Sequence, residues 1–508
     1  MSARIVLSTL NAKYIHASLG LRYLQANMGQ HGSAALQDCT VLREFTIHRP
    51  AQEVVDALLQ TVGDASMAIV GFGVYIWNVT QTTAVVHLLK AQAPQVKIVL
   101  GGPEVSHEWE SQEIAALADY LITGWGDVSF PQLCRALVNG PQPLMKVIAG
   151  IQPPLEELAL PYALYSADDL AHRVIYVEAS RGCPFKCAFC LSALDKTAWA
   201  FPLEPFLEAM DALYQRGARN FKFVDRTFNM KIDASVRILQ FFLDILQRFP
   251  NEPLALHFEV IPDHLPDRLK AQIQRFPAGV LQLEVGIQSF NVQVQQAIAR
   301  KQDNALSVAN LRWLREESQA HLHTDLIFGL PGETWASFAQ GFDQLYALRP
   351  HEIQLGVLKR LRGTPLARQF PADAAPAQTL RFDPEPPYTV RSNACLAEED
   401  LPSFMRLARY WDLVANSGRF PRTLALLLEG PSAFHAFALF SHWLWTRTGL
   451  TSGITPEDLV DHLHAYWIER ACGDGALIHS ALLADYVASG ARASPAVLRL
   501  ALGHGTAH

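Results

Sequence analysis

Two successive runs of strand followed by helix fill most of this 508-residue chain. They restrict its fold more than any single residue does. In the first run, short apolar strands read at Ile5–Leu7, Thr40–Leu42, Ala68–Phe72, Lys97–Leu100 and Tyr120–Ile122, and helical stretches fit Leu19–Met28, Glu53–Val62, Thr80–Ala91 and Ser129–Val138. Strands that alternate with helices pair in parallel, because each helix carries the chain back across the sheet. The expected fold class is therefore α/β, with a doubly wound parallel sheet over residues 1–150. Residues 151–172 hold Pro153, Pro154 and Pro161, show little periodicity and read as a linker. A second run over 173–366 places strands at Val174–Ala179, Asn220–Val224, Ala255–Val260, Leu281–Gly286, His323–Phe328 and Glu352–Leu358. Residues 367–508 open on a Pro/Ala-rich connector, Pro371 to Pro387, and then turn helical.

Ligands of doubly wound sheets bind beyond the carboxyl ends of the strands. Here those ends carry Thr9, Leu10 and Asn11 after the first strand, with His16 further along that loop. Gly73, Val74, Tyr75, Ile76, Trp77 and Asn78 follow the third strand, Gly101, Gly102, Pro103 and Glu104 the fourth, and Gly124, Trp125, Gly126 and Asp127 the fifth. Glycines at these points let the backbone approach a large flat ligand. A Gly-Gly-Pro turn alone is only a turn; the ordered set is the signal.

The strand at Val174–Ala179 runs into Arg181-Gly182-Cys183-Pro184-Phe185-Lys186-Cys187-Ala188-Phe189-Cys190, a C-x3-C-x2-C spacing. Three thiolates on one tight loop suit three irons of a cubane, with the fourth iron left open for chemistry. Electron-carrier clusters use four cysteines. A structural zinc site needs a second Cys/His pair, and Cys39, Cys134, Cys395 and Cys472 stand isolated. Few cysteines in a long chain argue against disulfides.

This string resembles the radical S-adenosylmethionine (SAM) superfamily. The resemblance implies a partial (β/α)6 barrel over 173–366, a [4Fe–4S] cluster on Cys183, Cys187 and Cys190, and SAM bound to the open iron and cleaved to a 5′-deoxyadenosyl radical. It also implies a SAM site. Asp225 would lie near the amino group, with Glu259 and Glu284 near the ribose and amino-acid end, and Gln288 beside Glu284. Arg300 matches a recurrent basic residue. Ile327 and Gly329 would flank the adenine opposite Phe189. Barrel strand ends are where such groups belong.

With the glycine loops ahead of it, the chain resembles the cobalamin-binding subclass of that superfamily. The first domain then becomes a Rossmann-like cobalamin-binding domain, in contact with the loop residues named above. The motif Asp-x-His-x-x-Gly, whose His ligates cobalt in other cobalamin domains, is absent; His16 is its nearest counterpart, and Tyr75 or Trp77 is available to cover the lower face. The implied reaction is methylation of an unactivated carbon of a small molecule or peptide, with electrons from a flavodoxin or ferredoxin. Cyclisation or rearrangement without methyl transfer, methylthiolation of tRNA, and a non-catalytic sensor or chaperone are the rivals. The methylthiotransferases bring three more cysteines in their N-terminal domain, and this one has only Cys39 and Cys134.

Net charge −7 argues against a nucleic-acid partner. The longest apolar candidate for a membrane span, Leu424 to Trp445, is broken by Glu429, Gly430, Pro431, His435 and His442. The chain opens directly on a strand pattern, so no targeting segment and a cytoplasmic location are expected. In the tail, Ser432–Arg447 is rich in aromatics (Phe434, Phe437, Phe440, Trp443, Trp445). It reads as a helix buried against the barrel or, alternatively, as a roof over the substrate cavity. The missing imidazole motif generates a first prediction. The electron paramagnetic resonance spectrum of the Co(II) form should lack nitrogen superhyperfine splitting from a protein imidazole, and such splitting would overturn the expectation.

Overall fold

The structure is a computed structural model that describes residues 3–369, 380–470, 474–499 and 501–502. Cys472 and part of the Pro371–Pro387 connector lie outside the described residues.

Six parallel strands form the first sheet: β1 (Ala3–Asn11), β2 (Thr40–Thr46), β3 (Met67–Gly73), β4 (Lys97–Gly101), β5 (Tyr120–Thr123) and β6 (Val147–Ala149), in the order β2-β1-β3-β4-β5-β6. The side chains of β1 alternate between two cores. Ile5 and Leu7 face one helical layer, and Val6 and Leu10 face the other. The order reverses between β1 and β3, which opens a crevice at their carboxyl ends. β6 went unread because three residues are too few to display a period.

Residues 151–172 are more structured than a linker. They form turns at Leu155–Glu157 and Tyr162–Leu164 and a helix at Ala167–His172 with a Ser166/Asp169 capping box. Asp169 reaches back to the buried Arg22, which also pairs with Glu44, both at 2.9 Å. The segment is thereby pinned to the first domain.

The second sheet starts at β7 (Ile175–Val177). A small antiparallel ladder, β8 (Ser180–Arg181) with β9 (Trp199–Ala200), then brackets the cysteine loop. The sheet continues with β10 (Asn220–Phe223), β11 (Ala255–Val260), β12 (Leu281–Gln288), β13 (His321–Phe328) and β14 (Glu352–Val357), all parallel and neighbouring in chain order. Burial along β11, β12 and β13 alternates strictly. Leu256, Phe258, Leu283, Val285, Leu322 and Leu326 join the core beneath the outer helices, so the intervening residues face the lumen. Unpaired edge strands invite unwanted pairing. Here, beyond β7, His16 of the first domain bridges Val174; beyond β14, Thr389 of the tail bridges Lys359.

The tail contributes a hairpin, β15 (Leu380–Phe382) with β16 (Val390–Asn393), and helices Asp400–Trp411, Pro421–Leu427, Ala433–Thr448, Pro456–Glu469 and Gly475–Ala488. The aromatic helix is buried against the barrel's outer helix Trp335–Ala347. The Phe434 ring lies 5.4–5.7 Å from those of Trp335, Phe338 and Phe342, and its N–H donates to Asp343 at 2.8 Å. It does not roof the cavity described below. Phe434→Ala should destabilise the barrel–tail unit by about 3–5 kcal/mol, read as earlier denaturant unfolding and lost hydrogen-exchange protection in Ala433–Thr448.

Candidate active site

A cavity of about 690 Å³ lies where the two sheets meet. Asn11, His16, Gly73, Tyr75, Trp77, Gly101, Gly102, Gly124, Trp125, Gly126 and Asp127 line it from the first domain, and Tyr176, Glu178, Arg181 and Val224 from the barrel. Gly102 has φ +110°, and a Cβ there would sit 2.4 Å from the Val74 carbonyl oxygen. Gly102 must therefore stay without a side chain for this turn to close against Val74, and the turn lines the cavity with backbone, as a broad flat ligand needs. Tyr75 and Trp77 stack face to face, with centroids 4.4 Å apart and planes 9° apart, and form one wall. His16 Nδ1 lies 2.7 Å from the Tyr176 hydroxyl. Burial, with Lys13 and Lys222 nearby, holds the imidazole below its ordinary value.

Seven of the residues expected around the corrin lie outside this lining. Leu10 and Val74 turn into the core on the opposite face, as the two-residue strand period requires. Thr9 and Asn78 are buried braces: the Thr9 hydroxyl donates to Gly73 O at 2.8 Å, and the Asn78 amide donates to Leu10 O at 3.1 Å. Ile76 and Pro103 fall within the two turns. Glu104 points away, accepting from Arg362 Nε at 2.9 Å and from the Tyr388 hydroxyl at 2.8 Å. Burial raises its carboxyl even with these donors. Glu104 thus ties the first domain to the end of the barrel and the tail hairpin.

Cys183 and Cys187 are buried and Cys190 is half-buried. The Cys183 N–H donates to Asp195 O at 2.8 Å, and the Ala188 N–H to Ile298 O at 2.8 Å, so both flanks of the loop are tethered. Gly182 (φ +86°) has no room for a side chain, since a Cβ would meet Ala198 N and Thr197 Oγ1 at 2.7 Å. Among the described residues no three His, Cys, Asp or Glu side chains converge as they would on a single metal ion. Cys187 and Cys190 lie near enough to Cys183 to add to the burial that raises its thiol, and three thiols on one loop suit a cubane, in which each binds a different iron. Arg300 reaches the loop, with Nη1 3.9 Å from Cys187 Sγ and a further bond from Nη2 to Gly286 O.

The residues expected around SAM are gathered unevenly. Ile327 and Phe189 pack on one apolar cluster with Ala188, Leu330 and Val390; Gly329 (φ +90°) meets Val390 of the tail. The Gln288 side-chain oxygen is buried without a partner among the described residues, at a register shift where φ is +67°. A ligand donor would satisfy it. Glu259 pairs with Arg226 at 3.1 Å. Asp225 is spent inside the fold, accepting from the Ala179 N–H at 2.9 Å and the Ser180 hydroxyl at 2.5 Å, and burial pushes it up to about 7. It buttresses the chain entering the cysteine loop.

The lumen holds a charge network that sequence reading did not assemble. Glu284 accepts from His257 at 2.7 Å and lies 3.5 Å from Lys222, and the His257 bond leads in holding it down at about 2. His323 meets Asp325 and Glu352 at 3.2 Å each. Burial opposes its charge, but the bonds to Asp325 and Glu352 win and raise it to about 10. The available signal was the alternation itself: polar residues at every second position of strands otherwise buried on both faces. Arg181 was also missed. Its Nη1 and Nη2 reach Asp127 at 2.9 and 3.2 Å, and its Nε reaches Glu178 at 2.7 Å.

Three family models match the chain: the B12 binding domain over residues 5–134, the radical SAM superfamily over 177–345, and a protein of unknown function (DUF4080) over 379–500. An uncharacterised methyltransferase, PH0819 of Pyrococcus horikoshii, is 30% identical over 38% of this chain and 50% of its own. The cobalamin-dependent radical SAM methyltransferase TokK of Streptomyces tokunonensis is 24% identical over 61% of this chain and 49% of its own. The chain thus spans about half the length of the curated relatives it matches. Among solved structures, the cobalamin-dependent SAM radical enzyme OxsB, with aqua-cobalamin and SAM bound, superposes with a TM-score of 0.64 at 12% identity, covering 99% of this chain and 81% of that one.

The lumen network generates a pH prediction. A histidine whose folded value lies above its unfolded one adds stability that is complete below the unfolded value, about 6.5, and is lost as pH rises through the folded one. For His323 that loss runs from near neutrality through about 10. The Tm difference between the wild type and His323→Gln should be largest at pH 6 and should shrink toward pH 11.

Proposed function

Because this chain joins a B12-binding domain to a radical SAM domain, with the cobalamin, SAM and [4Fe–4S] cofactors those domains take, we propose that it is an enzyme methylating an unactivated carbon of a small molecule or peptide. The observation that carries the reading is the shared cavity. Its walls come from the strand ends of the first domain and from Arg181, two residues before Cys183. When bound, the cluster and SAM would supply radical chemistry and cobalamin a transferable methyl group.

The chain's own residues have separable roles. Cys183, Cys187 and Cys190 hold the cluster. Gly73, Gly101, Gly102, Gly124 and Gly126 present backbone to the corrin, with the Tyr75–Trp77 stack at its side. Phe189, Ile327 and Gly329 offer the adenine an apolar slot. Glu259, Glu284 and the unpartnered Gln288 oxygen offer acceptors to the ribose and ammonium. The polar lumen sits beside this site, with Lys222 and His323 as positive groups and His257 bonded to Glu284. A low-potential flavodoxin or ferredoxin is the proposed electron donor. No helix among the described residues is long and apolar enough to cross a membrane.

Anaerobically reconstituted protein given SAM, dithionite and hydroxocobalamin should form 5′-deoxyadenosine, and Cys187→Ala should fall to background. Failure of the protein to retain any corrinoid would overturn the cobalamin half of the reading, and a product without a transferred methyl group would overturn the reaction.

A further inference from the structure

The loop Gly124–Asp127 does more than line the cavity, because its two side chains grip the segment that carries the cysteines. Asp127 holds Arg181 through two parallel hydrogen bonds, 2.9 Å to Nη1 and 3.2 Å to Nη2. Paired bonds of this kind fix direction as well as distance. Arg181 is nearly buried, with the Tyr23 ring 4.4 Å and the Trp125 ring 5.0 Å from its guanidinium carbon. Trp125 makes the second link. Its indole N–H donates to Asp195 Oδ2 at 2.9 Å. The other carboxylate oxygen of Asp195 accepts from Thr197, and its backbone oxygen accepts from the Cys183 N–H at 2.8 Å. Gly182, between Arg181 and Cys183, is packed too closely for even a methyl group. A displacement of Trp125 or Asp127 is therefore transmitted to the Cys183 peptide from both sides.

We propose that Trp125 and Asp127 are positioning residues that latch the cluster loop to the corrin cavity, so that filling either cofactor site raises the affinity of the other. The proposal rests on the two-cofactor reading above. Both residues line the cavity, so a ligand there braces the loop whose side chains hold Arg181 and Asp195, and a cluster that orders the cysteine loop presets the cavity wall. Such coupling is reciprocal by thermodynamic necessity.

Equilibrium dialysis against hydroxocobalamin, under anaerobic conditions, tests this with the full chain before and after cluster reconstitution. The wild type should show a Kd about tenfold lower with the cluster in place, within the ordinary range of coupling between sites. Trp125→Phe, which loses the indole N–H, and Asp127→Ala should each bring that ratio close to one, whatever either substitution does to the affinity for each cofactor alone. A second readout is spectroscopic: cobalamin should shift the paramagnetic resonance of the reduced cluster in the wild type and leave it unmoved in the variants. A wild-type ratio of one overturns the latch even if neither variant folds, and so do variants that keep the wild-type ratio. Protein that binds no corrinoid in either state overturns the two-cofactor reading itself, and the latch with it.

Discussion

The arrangement of this molecule depends on one nearly buried cation. Arg181 enters the cavity from the cysteine loop and is held by a carboxylate from each side, Asp127 of the first sheet and Glu178 at the end of β7. A guanidinium out of water is tolerated only when its donors are matched, and removing one partner of a buried pair costs about 3–5 kcal/mol. Its planar fork satisfies two acids from different domains at once, which a lysine cannot do in the same geometry. The two sheets are thereby docked with their carboxyl ends facing a common space.

Two further contacts at the other side of that space have the same character. Glu104 and Glu108, in the loop after β4, take Arg362 and Arg360 at 2.9 Å each, and Tyr388 joins Glu104. The acids that follow both glycine turns therefore serve the junction between domains, Asp127 from the cavity wall itself, while the glycines offer only backbone there. This division of labour follows from chemistry. A broad flat ligand asks for bare backbone and aromatic walls, and a rigid interface between two domains asks for directional charge pairs.

Much of this was legible in the sequence, for reasons that differ element by element. The strands of both sheets could be read because hydrophobic runs broken by helices admit few topologies. Cys183, Cys187 and Cys190 could be read because their spacing is local chemistry. Short elements escaped: β6 and the helix Ala167–His172 are too brief to show a period. The seven loop residues that do not line the cavity could not be told apart from their neighbours for several reasons: some brace the strand ends, some sit within turns, and Glu104 serves the tail. A contiguous string names a loop, but alternate residues of that loop face opposite ways, as Leu10 and Val74 do.

What the chain determines by itself is the set of parts: parallel α/β architecture, glycine-rich strand ends, and a three-cysteine loop. Local propensity, period and spacing act over a few residues, so these are readable one segment at a time. What only the tertiary structure decided is which parts meet. The Asp127–Arg181 pair spans 54 positions, and the Glu104 contact with Tyr388 spans 284. The lumen network of Glu284, His257, His323 and Glu352 exists only once strands far apart in sequence stand side by side. Partners so distant are selected by the packing of two whole domains, and no local pattern carries that information.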